Sequence, residues 1–406
     1  MIVLKRESEE KIMQEERKMI LQMVEDGKIS PEDGTKLIKA LSSGQEKETT
    51  TSSATTRKSK DESETKTSDS TDLSTRIDWD ESNRHHDESW RQYREEQGEK
   101  GSPLSEGARW FTEFVDSAVH KIKELDLDFN FGNAQEINHI FQHTSMQERT
   151  FELSLENGSI ELQPWDEADG KIECSAKVYK AENEEDARRI FLEETVFETK
   201  DEKLCFYTKS KKIKLQATVY VPRERFEKLS LYTFNGHLHV NGLNSISLSA
   251  KAVNGSINME GVHADVLEVE TVNGPIDLDG GSSQRADFRT VHGSIDINGH
   301  IEDIDAESVN GSVNCHFHGR EGGHVSLTAT TGSVFLAVPE EIRTEGKLKT
   351  NVGNYHWKLP NVEVLDEKRD FVQKTLTFVS NPDKSAVLRV DAGTKTGSVS
   401  VKTHDR

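Results

Sequence analysis

Val253-Asn254-Gly255-Ser256-Ile257 returns nineteen residues later as Val272-Asn273-Gly274-Pro275-Ile276, and again as Val291-His292-Gly293-Ser294-Ile295. Phe234-Asn235-Gly236-His237-Leu238 precedes these copies, and Val309-Asn310-Gly311-Ser312-Val313 and Thr330-Thr331-Gly332-Ser333-Val334 follow. A degenerate Asn351-Val352-Gly353-Asn354-Tyr355 ends the run. The glycines are spaced by 19, 19, 19, 18, 21 and 21 residues, a period that marks a stacked repeat array. Two and four residues after each glycine the side chain is apolar in nearly every copy, as at Ile257 and Met259, with polar residues between. That alternation belongs to a half-buried strand, not to a helical turn.

A second glycine, at 242, 261, 280 or 299, marks a bend, after which a second apolar run begins, such as Val266-Leu267-Glu268-Val269. Each repeat is therefore strand, bend, strand, bend. Stacking the copies places Ile257, Ile276 and Ile295 in one aliphatic column and Asn235, Asn254, Asn273 and Asn310 in a second, at the turn. The few aliphatics of one repeat cannot offset the entropy of ordering some nineteen residues, so the array is the folding unit. The fold class that follows is mainly β, a stacked solenoid.

Upstream of the array the chain changes character three times. Residues 9–43 read as a helical hairpin, with Ile12, Met19, Ile20, Met23 and Val24 on the first helix and Leu37, Ile38 and Leu41 on the second. Ser30-Pro31-Glu32-Asp33 starts the second helix with an N-cap, a first-turn proline and acids. The unit is too small for a core of its own, so Met19, Met23, Leu37 and Leu41 are candidates to bury against a copy or a partner helix. Residues 44–101 are rich in Ser, Thr, Glu, Lys and Asp and read as a disordered acidic linker. Residues 104–125 form an amphipathic helix with Trp110, Phe111 and Phe114 on its apolar face. This helix is expected to cap an open end of the solenoid, with partner binding or self-association, or a membrane surface, as the alternatives. Residues 126–406 are the β unit. Leu155-Glu156-Asn157-Gly158-Ser159-Ile160 is an early copy of the phrase, Asn183 caps a short helix, and Thr396-Gly397-Ser398-Val399 is a last copy.

Composition excludes several function classes. Apolar residues are 33%, charged residues 31% and the formal net charge is −21, which disfavours nucleic acid and anionic membrane as partners. Cys174, Cys205 and Cys315 have no metal-ligand spacing and read as buried free thiols. The opening residues carry no apolar core before charge sets in and no long apolar run follows, so a cytoplasmic location is expected, with cell-surface association as the alternative. No phosphate loop, nucleophile elbow or zinc-protease motif is present, so neither an enzyme nor a cofactor is expected. Asp277, Asp279, Asp296 and Asp305 read as polar residues on short turns. His300 and His318 each lie seven residues past a repeat glycine and are expected side by side, with His316 and His324 nearby.

The hairpin around Met23-Val24-Glu25-Asp26-Gly27-Lys28-Ile29-Ser30-Pro31, followed by the Asn-Gly-Ser-Ile block, resembles the YvlB/LiaX-like family of Gram-positive bacteria. Members of that family join a short helical, SHOCT-like hairpin to a C-terminal β-strand-repeat domain described as an adhesin. The resemblance implies a non-enzymatic interaction or scaffold protein linked to the envelope stress response, with a protein partner and self-association through the hairpin. A surface adhesin or carbohydrate-binding solenoid is the alternative.

Overall fold

The computed structural model describes residues 114, 115, 117, 118, 133–370 and 373–404. The hairpin at 9–43, the linker at 44–101 and the side chains of Met19, Met23, Leu37, Leu41, Trp110 and Phe111 lie outside them.

The repeat builds a two-sided parallel β-solenoid. Each rung has one strand before its glycine and one after it, as in Asn244–Asn254 followed by the first residues of Ile257–Asn273. Like positions stack in register: Leu238 pairs with Ile257, Ile257 with Ile276, Ile276 with Ile295, and Ile295 with Val313. All of these side chains are fully buried. Facing them from the other sheet are Leu248, Leu267 and Ala286, then Ala250, Val269 and Phe288, so a single core runs between the sheets. The bends fall at the second glycines, with Gly242, Gly261 and Gly280 at φ of 57°, 59° and 75°. A left-handed backbone there turns the chain from one sheet into the other without ending the strand.

At the repeat glycines the coils come closest. A Cβ on Gly255 would lie 1.7 Å from the Gly236 carbonyl oxygen, and one on Gly274 would lie 2.1 Å from that of Gly255. The same contact links Gly158, Gly236, Gly255, Gly274, Gly293, Gly311, Gly332, Gly397 and Gly353, in that order, along the whole stack. Three residues before the glycine, an inward hydroxyl donates to the glycine carbonyl of the preceding rung, as Thr271 does to Gly255 at 2.9 Å and Thr290 to Gly274 at 3.0 Å. Ser308, Thr350 and Thr394 repeat the bond. Outside the turn, Asn254 donates to Asn235 and Asn273 to Asn254, both at 2.8 Å. Asn310 meets His292 in the same column.

Stack order differs from chain order at both ends. Val387–Thr396 and Val399–Thr403, the last copy in sequence, slot between the Gly332 and Gly353 rungs. The Gly353 rung carries Tyr355 and the part-exposed Trp357, bulky residues that an outermost rung can accommodate. The chain makes room by an excursion through Val362–Arg369 and Lys374–Ser380, which pair antiparallel outside Arg343–Val352. At the other end Thr150–Trp165 precedes the Gly236 rung, and Lys203–Thr208 and Ile213–Pro222 lie beyond it. Antiparallel strands Ala134–His143, Gly170–Tyr179 and Thr195–Lys200 finish that end. The helix Glu184–Glu194, N-capped by Asn183, buries Phe191 beside them.

Antiparallel strands and this helix cover that end of the stack, and the capping expected of 104–125 rests mostly on residues outside the described ones. Phe114, Val115 and Ala118 pack against Tyr232, Phe234, Val253, Val272 and Val291, on the broad outer face of the pre-glycine sheet. The reason is that apolar side chains occur on both faces of these strands close to the glycine, so the outward set also needs a cover.

Candidate functional site

Two outward ladders dominate the surface, one on each sheet. On the pre-glycine sheet, the position two before the glycine carries Phe234, Val253, Val272, Val291 and Val309 on five successive rungs. The position four before it carries Tyr232, Lys251, Glu270, Arg289 and Glu307. Lys251 and Arg289 are buried although they point away from the core. Lys251 Nζ lies 3.1 Å from Glu268 Oε1 and 3.0 Å from Glu270 Oε2, and 5.8 Å from the centre of the Phe114 ring. Arg289 reaches Asp287 at 3.4 Å and Asp305 at 3.2 Å, and Arg285 reaches Asp287 at 3.1 Å. Burial alone would lower the Lys251 ammonium, but Glu268 and Glu270 outweigh it and hold its pKa above the ordinary value. Burial raises the carboxyls of Glu270, Asp305 and Glu307. This is a covered face on which each of the three cations lies within ion-pair distance of a carboxylate.

On the post-glycine sheet, Asn258, Asp277, Asp296 and Asn314 form one outward row, and Glu260, Asp279, Asn298 and His316 the next. They line a shallow groove of about 610 Å³. The aspartates expected on short turns are therefore strand residues. Asp277 pairs with Asp296 across adjacent rungs, while Asp305 lies on the other sheet. Burial, and then Asp296, Asp279 and Glu260, push the Asp277 carboxyl above its usual range. Asn314 donates to Asp296 at 2.7 Å and Asn298 to Asp279 at 2.8 Å. Amides and carboxylates side by side in these rows present donors and acceptors at strand spacing.

The groove ends at a stack of imidazoles. His300 and His318 stand side by side, ring centres 5.5 Å apart, as their spacing implies. His404 stacks on His318 at 4.7 Å and on His316 at 6.0 Å. Its arrival was hidden in sequence because the C-terminal rung is inserted out of order. His324 sits instead on the pre-glycine sheet, paired with Asp303 and Arg389. Among the described residues no group of three or more His, Cys, Asp or Glu side chains is placed to hold a metal ion. His318 Nε2 lies 2.7 Å from Asn298 Oδ1. Burial, and then the imidazoles of His404, His300 and His316, hold His318 below the ordinary value. The unfolded chain titrates near about 6.5 and so takes up more protons than the fold just below that pH. The thermal unfolding midpoint should therefore fall as pH drops from about 6.5 to about 5.5, and fall less in His318→Gln. Equal falls in both proteins would remove the stack from the account.

The three cysteines are buried and form no disulfide, and burial pushes Cys174 and Cys315 up to about 12, far from a reactive thiolate. No helix among the described residues is long and apolar enough to cross a membrane.

Comparison with known proteins follows the same division. Residues 146–402 match the family described as toastrack DUF4097, and residues 15–46 match a SHOCT-like domain. The chain is 40% identical over 394 residues to the uncharacterised protein YvlB of Bacillus subtilis (strain 168), covering 97% of this chain and all of that protein. A crystal structure of a candidate adhesin from Bacteroides fragilis is 12% identical, with a TM-score of 0.41, over 66% of this chain and 97% of that one. Another, from Parabacteroides distasonis, is 12% identical with a TM-score of 0.30, over 66% and 98%. With a repeat unit matched from its first complete rung to its last and a full-length relative at 40% identity, this chain belongs to the toastrack DUF4097 family.

Proposed function

We propose that the chain is a non-enzymatic interaction scaffold of the cell-envelope stress response, in which the solenoid presents its two ladder faces to a protein partner. The observation that supports this reading is the pre-glycine face, where five apolar side chains and a paired charged row form a prepared surface with a segment already seated on it. Such a face serves binding, not bond-making: its charged groups are paired with one another. The reading keeps the protein in the cytoplasm and gives the hairpin at 9–43 the task of self-association or docking. Affinity capture from envelope-stressed cells, comparing the full chain with one lacking residues 9–43, tests it. Loss of the main partners on deletion is the expected result, and an unchanged set counts against it.

A glycan-binding surface protein is the second reading, favoured by the amide and carboxylate rows of the post-glycine groove. Protease added to intact cells separates the two, since a cytoplasmic protein survives it.

A further inference from the structure

Three of the four sheet ends of the solenoid are continued by strands that lie outside the repeat. At the Gly158 end the post-glycine sheet runs on through Ile213–Pro222, Gly170–Tyr179 and Ala134–His143, and the pre-glycine sheet through Lys203–Thr208 and Thr195–Lys200. At the Gly353 end the pre-glycine sheet adds Lys374–Ser380 and Val362–Arg369. The fourth end stops on a rung: among the described residues Tyr355–Lys358 pairs with Val399–Thr403 and with no other strand. The stop leaves the ladder unfinished. From rung to rung, the amide two after the glycine donates to the carbonyl one after the next glycine, as Ile257 N does to Pro275 O and Val399 N to Asn354 O, both at 3.0 Å. Tyr355 N has no further rung to donate to, and by the alternation of a parallel strand Trp357 N shares that open edge. The core column is unfinished too. Four residues after the glycine the side chain is buried at Met259, Ile297, Leu336 and Val401, yet Trp357, in the same column, is 38% exposed. Charge marks the edge as well. In a chain of net charge −21, the two outermost strands of this sheet carry His356, Lys358 and Lys402 and not one carboxylate. Glu367, which accepts from Tyr355 Oη at 2.6 Å, is answered by Arg369. Val362–Arg369, the other outermost strand at this end, is broken by a register shift between Val364 and Asp366, a device that discourages pairing; Tyr355–Lys358 has none.

From these observations we propose that Tyr355–Lys358 is a β-augmentation edge, which takes an extended acidic segment of a protein partner as the next strand of the post-glycine sheet. Backbone carbonyls of the segment accept from Tyr355 N and Trp357 N. Its apolar side chains, at alternate positions, cover Trp357 and continue the core column. The carboxylates between them lie on the solvent side, against His356 and Lys358. This inference rests on the scaffold reading only for the expectation of a protein partner, and it moves the contact from the ladder faces to the end of the stack.

The test titrates a fluorescein-labelled synthetic peptide of alternating valine and glutamate into the full-length chain. It should bind at least about tenfold more tightly than a valine–lysine peptide, and than a valine–glutamate peptide N-methylated at every amide, which cannot donate to the ladder. Hydrogen exchange at residues 353–358 should slow in the complex. His356→Glu/Lys358→Glu changes two exposed side chains without touching the core. It should weaken the glutamate peptide about tenfold and strengthen the lysine one. Because the probe is synthetic, a failed capture of cellular partners and a failed edge are told apart. The proposal is overturned if no peptide binds, if the lysine or N-methylated peptide binds as tightly as the glutamate one, or if protection falls outside residues 353–358. A preference that survives the double substitution overturns it as well.

Discussion

Replacing Gly255 by alanine should be the most damaging single-atom change in the solenoid. The new Cβ would sit 1.7 Å from the Gly236 carbonyl oxygen and 2.5 Å from its carbon, both backbone atoms with no rotamer to move them aside. Relief requires the two rungs to separate by more than an ångström, roughly a quarter of the strand spacing. That would break the bonds from Gly236 N to Asn254 O and from Leu238 N to Ser256 O, both at 3.0 Å. Each buried backbone group left unpaired costs about 1–3 kcal/mol, and the aliphatic columns on either side are pulled apart as well. A loss of at least about 4 kcal/mol in chemical denaturation is expected, against about 1–2 for Gly261→Ala. Gly261 is the proper control. It has positive φ but nothing within 4 Å of its would-be Cβ, so it reports backbone conformation without crowding. If the two variants are equally stable, close approach is not why the column is glycine.

That column also explains how much of the molecule could be read in advance. Period and alternation were enough to stack Ile257, Ile276 and Ile295, because a strand's side-chain period leaves one register that buries them all. The same logic failed for stack order. The Gly397 phrase reads like any other copy, and only the pairing of Lys374–Ser380 and Val362–Arg369 outside the Gly353 rung sends it inward. The hydroxyl column at Thr233, Thr271, Thr290 and Ser308 was in plain view. It is interrupted by Ala252, and β-branched residues are so common in strands that Thr there suggests only propensity. The outer face is hidden for a related reason: alternation alone sends Lys251, Glu270 and Arg289 to water, whereas all three are buried. The missed clue was Val253, Val272 and Val291 on the same side of the strand, since one apolar position per rung facing outward implies a cover. Once that face is recognised, the histidine stack is the remaining surprise, and it depends on His404 travelling with the displaced rung.

Arg289→Met should show how dry the covered face is. The guanidinium is 5% exposed and lies within salt-bridge distance of Asp287, Asp305 and Glu270, so its loss leaves carboxylates facing one another. Methionine fills much of the volume, which confines the effect to charge. Removing one partner of a buried ion pair costs roughly 3–5 kcal/mol, and a loss in that range at about pH 8 is the expected result. The pH dependence follows from the acids that remain. Burial already raises Glu270 and Asp305, and without Arg289 both rise further, so the folded variant binds protons that the unfolded chain does not. A group raised in the fold loses its contribution as pH climbs from the unfolded value to the folded one. The gap between wild type and Arg289→Met should therefore widen from about pH 5 to about pH 8 in denaturation experiments, and Glu270→Gln added to the variant should narrow it. Unseating the cover with Phe114→Asp/Val115→Asp admits water to the same row, so the Arg289→Met penalty should shrink in that background. A penalty below about 1 kcal/mol with the cover in place would mean that the row is as wet as an ordinary surface pair. The segment at Phe114 would then not be what keeps solvent from it.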